Sequence, residues 1–296
     1  MARTVYERVS DERFQTPHAR RPLFRQIEKF FQGRSLVTFF TSTRFFVQID
    51  DNDCEMLQNV LQQTDLSKGL ILMVNSLGGD MIVAERIVNM CRSYSGTGEY
   101  WALVPGRAKS AATVVCMGAS KVMMAAPSEL GPVDPQIIRE EDGEAKWFSA
   151  FSLVTGYNTL FNEAVKATGN VEPYIQQLAR YDVREINTYQ GFIDVSKDIA
   201  LRILGSGMMK GRTPTDIEAK IKVFLDPMAG THNHGRAIYA KEARDCGLIV
   251  EELDVNSEQW KKIYELYYRS DLYVSMNVSK VVESGSESFY MEIPSG

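Results

Sequence analysis

The sequence predicts an α/β fold with a mainly parallel sheet and helical extensions at both ends. Two observations carry this expectation. Between Leu70 and Ala125, short apolar runs alternate with amphipathic helical stretches in the order strand, helix, strand, helix, strand, the pattern of right-handed βαβ units. The apolar runs themselves, such as Leu70-Ile71-Leu72-Met73-Val74, have the length and continuity of buried strands.

The elements follow in chain order. Residues 1–33 read as a helical arm broken at Pro17 and Pro22, made locally basic by Arg20-Arg21, with apolar residues at helical spacing from Leu23 to Phe31. Leu36 to Phe40 reads as a strand, and Asp51 to Gln63 as a helix capped by Asp51 or Asp53. After the strand at Leu70 come a helix from about Met81 to Ser95, a strand from Tyr100 to Val104, a helix from Ser110 to Met117 and a strand from Lys121 to Ala125. The remainder is mainly helical. Helices are predicted over Trp147 to Ala167, Pro173 to Leu178 and Asp182 to Leu204, and Thr213-Pro214 opens another with Thr213 as its cap. A short helix over Ala240 to Asp245 ends at Gly247, Leu248 to Val250 reads as a returning strand, and Ser257 to Tyr268 is an aromatic-rich helix. The Ser- and Gly-rich tail beyond about Ser284 is expected to fray. With no internal repeat and no clear linker, the expected organisation is one domain over 34–254, an N-terminal helical arm over 1–33, and a C-terminal helix with a flexible tail over 255–296.

Composition narrows the function classes. The chain has 296 residues, 44% of them hydrophobic and 24% charged, ordinary values for a soluble globular protein. A net charge of -5 offers no basic footprint for nucleic acid and no polybasic surface for a membrane. No run is long enough for a transmembrane helix, and the charged stretch Met1 to Arg13 lacks the apolar core of a secretory signal. The four cysteines (Cys54, Cys91, Cys116, Cys246) are scattered, without metal-like spacing, so a reduced, cytoplasmic protein is expected. Three histidines, His18, His232 and His234, are too few for a rich metal site.

Two loops concentrate the candidate chemistry, because each follows a buried strand and ligand sites of open α/β sheets lie at the carboxyl ends of strands. In Asn75-Ser76-Leu77-Gly78-Gly79-Asp80, paired glycines let bare N–H groups approach a ligand at a helix start. The loop has neither nucleotide fingerprint, which favours stabilisation of an oxyanion. In Pro105-Gly106-Arg107-Ala108-Lys109-Ser110-Ala111-Ala112-Thr113, a serine at the first turn of a helix after a strand is placed as a nucleophile on an elbow. The bland alternative for Ser110 is a helix cap. Together the loops bring a hydroxyl and the N–H groups of Gly78 or Gly79 and of Ala111 to one crevice.

These two motifs, followed by Glu129-Leu130-Gly131-Pro132-Val133-Asp134-Pro135-Gln136 and by His234-Gly235-Arg236-Ala237-Ile238-Tyr239-Ala240 running on to Gly247-Leu248-Ile249-Val250, resemble the Clp-class serine peptidases. More narrowly they are similar to the serine dehydrogenase proteinase family, relatives of signal peptide peptidase A and of the Clp proteolytic subunit. The resemblance runs from about Leu36 to Val250. It implies a crotonase/Clp-protease-like spiral of ββα units, usually oligomeric. It also implies hydrolysis of peptide or unfolded-protein substrates through an acyl-enzyme on Ser110, with no metal, ATP or other cofactor required by the chemistry.

The general base is where the sequence departs from the Clp proteolytic subunit. Ser128 to Asp134 contains no histidine, which excludes a Ser-His-Asp triad of that layout. Signal-peptide-peptidase relatives use a lysine instead, and Lys146, in Glu144-Ala145-Lys146-Trp147, stands near the start of the following helix. A lysine buried there can lose its proton near neutral pH. His234, with an intrinsically suitable pKa, and Asp134, able to orient a base or substrate, are rivals. Lys109 is expected to point away from the hydroxyl. A non-proteolytic scaffold or peptide-binding module on the same fold is the alternative. A crotonase-type acyl-CoA enzyme is a third, disfavoured because the loops lack catalytic carboxylates.

Overall fold

The computed structural model describes residues 4–10, 12, 15–45, 47–141, 144–226 and 235–293, with backbone alone at 141, 144 and 145. Helices α1 (Val5–Ser10) and α2 (Pro17–Glu28) lead to β1 (Ser35–Thr41), α3 (Asp51–Gln62), β2 (Leu70–Asn75), α4 (Met81–Tyr94) and β3 (Tyr100–Val104). Then come β4 (Arg107–Ala108), α5 (Ala111–Met117), β5 (Lys121–Ala125), β6 (Glu129–Leu130), and the strand pair β7 (Gln136–Glu141) and β8 (Glu144–Ser149). Helices α6 (Ala150–Lys166), α7 (Glu172–Leu178), α8 (Val183–Ser206), α9 (Pro214–Lys220), α10 (Lys222–Leu225) and α11 (Ala240–Asp245) follow. The described chain closes with β9 (Val250–Leu253), α12 (Glu258–Met276), β10 (Lys280–Glu283) and β11 (Ser288–Met291).

The central sheet has the order β11-β10-β1-β2-β3-β5-β9. Strands β1, β2, β3, β5 and β9 are parallel, while β10 and β11 run antiparallel at one edge. Alternation along each strand explains the continuous apolar runs. Val37, Phe39, Leu72 and Val74 face a core with Leu57, Ile87, Val115 and Ile203. Leu36, Phe40, Ile71 and Met73 face a second core with Phe24, Ile27, Ile263 and Leu266. The sheet is therefore sandwiched by α3, α4, α5 and α8 on one side and by α2 and α12 on the other. A small parallel pair, β4 with β6, sits beyond the strand ends. A separate cluster of Ala150, Val154, Ile186 and Tyr189 joins α6 to α8. The expected class, a mainly parallel α/β sheet with helical extensions, is the observed one.

Four local expectations differ from the structure. Pro17 starts α2 instead of breaking it, at the position where a missing N–H costs nothing, and Pro22 lies inside the helix. The cap of α3 is Asp50, which forms a reciprocal capping box with Asp53. The helix predicted from Trp147 begins at Ala150, where Ser149 accepts the Ser152 N–H. Residues 144–149 pair instead with 136–141, so that Trp147 lies opposite Ile138 and Phe148 opposite Ile137; a cross-strand partner of matching alternation outweighs the helical spacing. Finally, the flexible tail expected within 255–296 is ordered over Ser288–Met291 as β11. Helix α12 runs on to Met276 and β10 docks on β1. Burial of Val281 and Val282 and an ion pair of 2.7 Å between buried Arg20 and Glu283 hold this edge down.

Candidate active site

Ser110 occupies the N-cap position of α5 with φ 49° and ψ −122°. A side chain at positive φ is strained and persists only where its surroundings over-determine it, and here they do. The Ser110 N–H donates to Pro132 O (3.1 Å), the Lys109 N–H to Ser76 O (3.0 Å), and the Ser76 N–H to Arg107 O (3.0 Å). The Thr113 hydroxyl lies 2.8 Å from Ala108 O and 2.9 Å from Gly131 O, and it accepts the Gly131 N–H. Lys109 is 8% exposed. Its ammonium sits 3.2 Å from the Glu129 carboxylate and donates to Leu130 O. Burial lowers the Lys109 pKa, and Glu129 opposes that shift. The charge is thus committed to β6, as expected from the sequence. Behind the elbow, Asn75 accepts the Arg107 N–H and donates to Asp271 of α12.

The glycine loop lies directly against this elbow. A Cβ on Gly78 would stand 2.8 Å from Ser110 Cβ and 3.0 Å from Ala111 N, so only glycine permits the approach. A Cβ on Gly79 would stand 2.2 Å from Ile49 N. Ile49 brackets the turn by donating to Gly78 O and accepting the Asp80 N–H, both at 2.9 Å. The Gly78 N–H is turned inward to Ser76 Oγ, which also accepts from Thr41 Oγ1. The Gly79 N–H takes no part in this set. The Ala111 N–H, at the first position of α5, has no acceptor within its helix. Gly79 lines the same cavity as Ser110, and of the two glycines it is the one whose N–H is not drawn to Ser76 Oγ.

Ser110, Gly78 and Gly79 all line a cavity of about 830 Å³. Its walls are largely apolar: Phe45 and Val47 precede α3, Leu77 and Ile82 flank the glycine loop, Trp147 comes from β8, and Phe192 and Val195 come from α8. The contribution of α8 escaped the sequence reading. Its signal was a pair of large apolar residues, Phe192 and Val195, that adjoin the stripe of buried Tyr189, Ser196 and Ile199 at helical spacing and yet stay exposed.

The remaining predicted residues are placed as follows. Asp134 is 2% exposed and accepts from Gln136 Nε2 at 3.1 Å; its neighbours Pro135 and Gln136 line the cavity. Lys146 does not begin a helix. It lies in β8 opposite Arg139, on the strand face opposite to that of Trp147. Arg139 on that same face pairs with Glu185 of α8. Among the described residues no lysine or histidine lines the cavity. His234, like His232, lies outside the described residues. The described residues on either side of that segment bond β6 and the stretch after it: Phe224 O accepts the Val133 N–H, and Ile238 exchanges two bonds with Leu130 of β6.

Residues 42–130 match the Clp protease family; the matched stretch holds both the glycine loop and the Ser110 elbow and ends before Asp134 and Lys146. The uncharacterized protein MJ0137 of Methanocaldococcus jannaschii is 24% identical over 225 residues, 75% of this chain. The match spans 66% of that protein, just under two thirds of its length. A mutant of the 1510-N membrane-bound stomatin-specific protease aligns over 75% of this chain and 80% of its own, with 15% identity and a TM-score of 0.39. The fold is of the Clp-protease and crotonase class, a mixed α/β fold with helical extensions. Among the described residues no helix is long and apolar enough to cross a membrane.

Proposed function

We propose that this chain is a serine peptidase that cleaves peptide bonds through an acyl-enzyme on Ser110. One observation carries the reading: a serine held at φ 49° lies at the wall of an apolar cavity, with the glycine loop packed against it. In the proposed reaction Ser110 Oγ attacks the substrate carbonyl carbon while its proton passes to the base. The N–H groups of Gly79 and Ala111 receive the oxyanion, Gly78 serving as the spacer that lets the loop approach. Each such donor is worth about 3–4 kcal/mol of transition-state stabilisation. Collapse of the tetrahedral species expels the amine, which takes up the proton from the base, and water then attacks the ester by the same route.

Lys146 is the proposed base, on chemical grounds. Its strand adjoins the cavity through Trp147, but its side chain lies on the other face, so the proposal requires the β7–β8 pair to turn when substrate binds. His234 is the second candidate: on either side of its segment Phe224 and Ile238 bond Val133 and Leu130, which bracket Pro132, the acceptor of the Ser110 N–H. The walls of the cavity favour substrates with a large apolar side chain beside the scissile bond.

The test is covalent and kinetic. A fluorophosphonate should label Ser110, and Ser110→Ala should lower casein or peptide cleavage by at least ~10⁴-fold. An unlabelled Ser110, or a mutant as active as the parent, rejects the reading. A peptide-binding module without turnover is favoured by the absence of lysine and histidine from the cavity lining among the described residues. Intact substrate after long incubation, with saturable binding at the cavity, would select it.

A further inference from the structure

We infer that Lys280, in strand β10 between β11 and β1, is a positioning residue for the glycine loop beside Ser110. The connection runs through the stretch from Ser42 to Asp50. At its start, the Ser42 N–H donates to Ser279 O at 2.8 Å. At its end, Lys280 Nζ donates to Asp50 Oδ2 and to Asp53 Oδ2, both at 2.8 Å. Ser279 and Lys280, adjacent residues at the start of β10, therefore hold both ends of one loop. Between those ends Phe45, Val47 and Gln48 line the cavity, and Ile49 brackets Gly78 and Asp80 through the two backbone bonds described above.

The clamp has few alternatives available to it. Lys280 is 1% exposed and Asp53 is 0% exposed. A buried ammonium without carboxylates is strongly disfavoured, so the position of Lys280 dictates where Asp50 and Asp53 stand. Asp50 and Asp53 also form the capping box of α3, which fixes the backbone immediately after Ile49. A second route leads to the same loop. Thr41 lies opposite Lys280 in the β1–β10 register and donates to Ser76 Oγ, the acceptor of the Gly78 N–H. Lys280 thus stands behind the glycine loop on both sides while touching neither Ser110 nor the cavity.

The inference deepens the peptidase reading, and its kinetic arm rests on that reading; its exchange arm does not. Amide hydrogen exchange is compared between the wild-type chain, Lys280→Met and Lys280→Arg, together with kcat and KM for peptide cleavage. The expected result for Lys280→Met is exchange at least ten-fold faster at the Ile49 and Asp80 amides, with Val114 to Gly118 unchanged. With it, kcat falls ten-fold or more, KM stays within two-fold, and Lys280→Arg recovers most of both losses. Wild-type exchange at Ile49 and Asp80, faster exchange spread evenly over the fold, or a wild-type kcat in folded Lys280→Met overturns the inference. If Lys280→Met does not fold, Asp53→Asn removes the partner charge with little change of shape, and the same two amides decide. If the wild-type chain cleaves no peptide, the peptidase reading has failed, and the exchange result alone decides the role of Lys280.

Discussion

The elbow at Ser110 and the strand pair carrying Lys146 are built in opposite ways. The elbow lies within the main core, and its strained backbone is tied by neighbours on β2, β4 and the stretch after β6 through short backbone bonds. The strand pair rests on α6 and α8 through a cluster of four buried residues with a few half-buried neighbours. It reaches the main fold mainly through its own ends, as where the Ala150 N–H donates to Pro135 O. A nucleophile and its oxyanion donors gain from a fixed arrangement, because electrostatic stabilisation depends on donors that need not reorganise. A small satellite cluster is free to shift relative to the sheet at low cost. On the peptidase reading, the difference would put the invariant part of the chemistry in the first region and the movable part in the second.

That contrast can be broken most directly at Lys146. As the base, Lys146→Met should lower kcat by about 10²–10⁴-fold with little effect on unfolding. An unchanged rate would leave the strand pair as a wall only and pass the role to His234, which His234→Gln then checks in the same assay. Next in size is Gly79→Ala, whose Cβ collides with the Ile49 backbone. We expect a loss of at least ~10²-fold in kcat as the loop withdraws its donor, read under single-turnover conditions. A smaller effect is expected at Trp147→Ala. KM for substrates with a bulky apolar residue should rise by about ten-fold, from lost apolar burial of roughly 1.5 kcal/mol, with kcat nearly constant. The smallest effect on catalysis belongs to Thr113→Val. It removes the hydroxyl shared by Ala108 O and Gly131 O and should cost about 1–3 kcal/mol of stability, seen as a lower urea midpoint. If Thr113→Val instead abolished activity without lowering the midpoint, the elbow would be less rigid than its bonds indicate.

Legibility in the sequence followed the same division. The alternating strands and helices from β1 to β5, the glycine loop and the elbow are local in sequence, and each has its own chemical signature: a continuous apolar run, paired glycines, a serine before small residues at a helix start. The strand pair has no such signature. Trp147 and Phe148 fit a helix as well as a strand, and only their partners Ile138 and Ile137 decide between them. The tail was misread for a related reason. Its serines and glycines describe the bend between β10 and β11, whereas the burial that orders it is supplied by Arg20 and β1, far away in the chain. The distinction between Gly78 and Gly79 was equally beyond reach, because it depends on the Thr41 and Ser76 hydroxyls pointing inward.

Strand β10, the last to pair with β1, also sets the order in which the molecule matures. Thr38 of β1 donates its hydroxyl to Glu283 O across a separation of 245 residues. Contacts of such range close late in folding. During synthesis at about 5–20 residues per second, β10 leaves the ribosome on the order of ten seconds or more after β1. The Ser42–Asp50 stretch has neither of its anchors until then. A nascent chain would therefore hold Ser110 on its elbow well before the glycine loop beside it is locked. On the peptidase reading, such a delay keeps the Ser110 hydroxyl and a settled glycine loop apart until β10 has docked on β1.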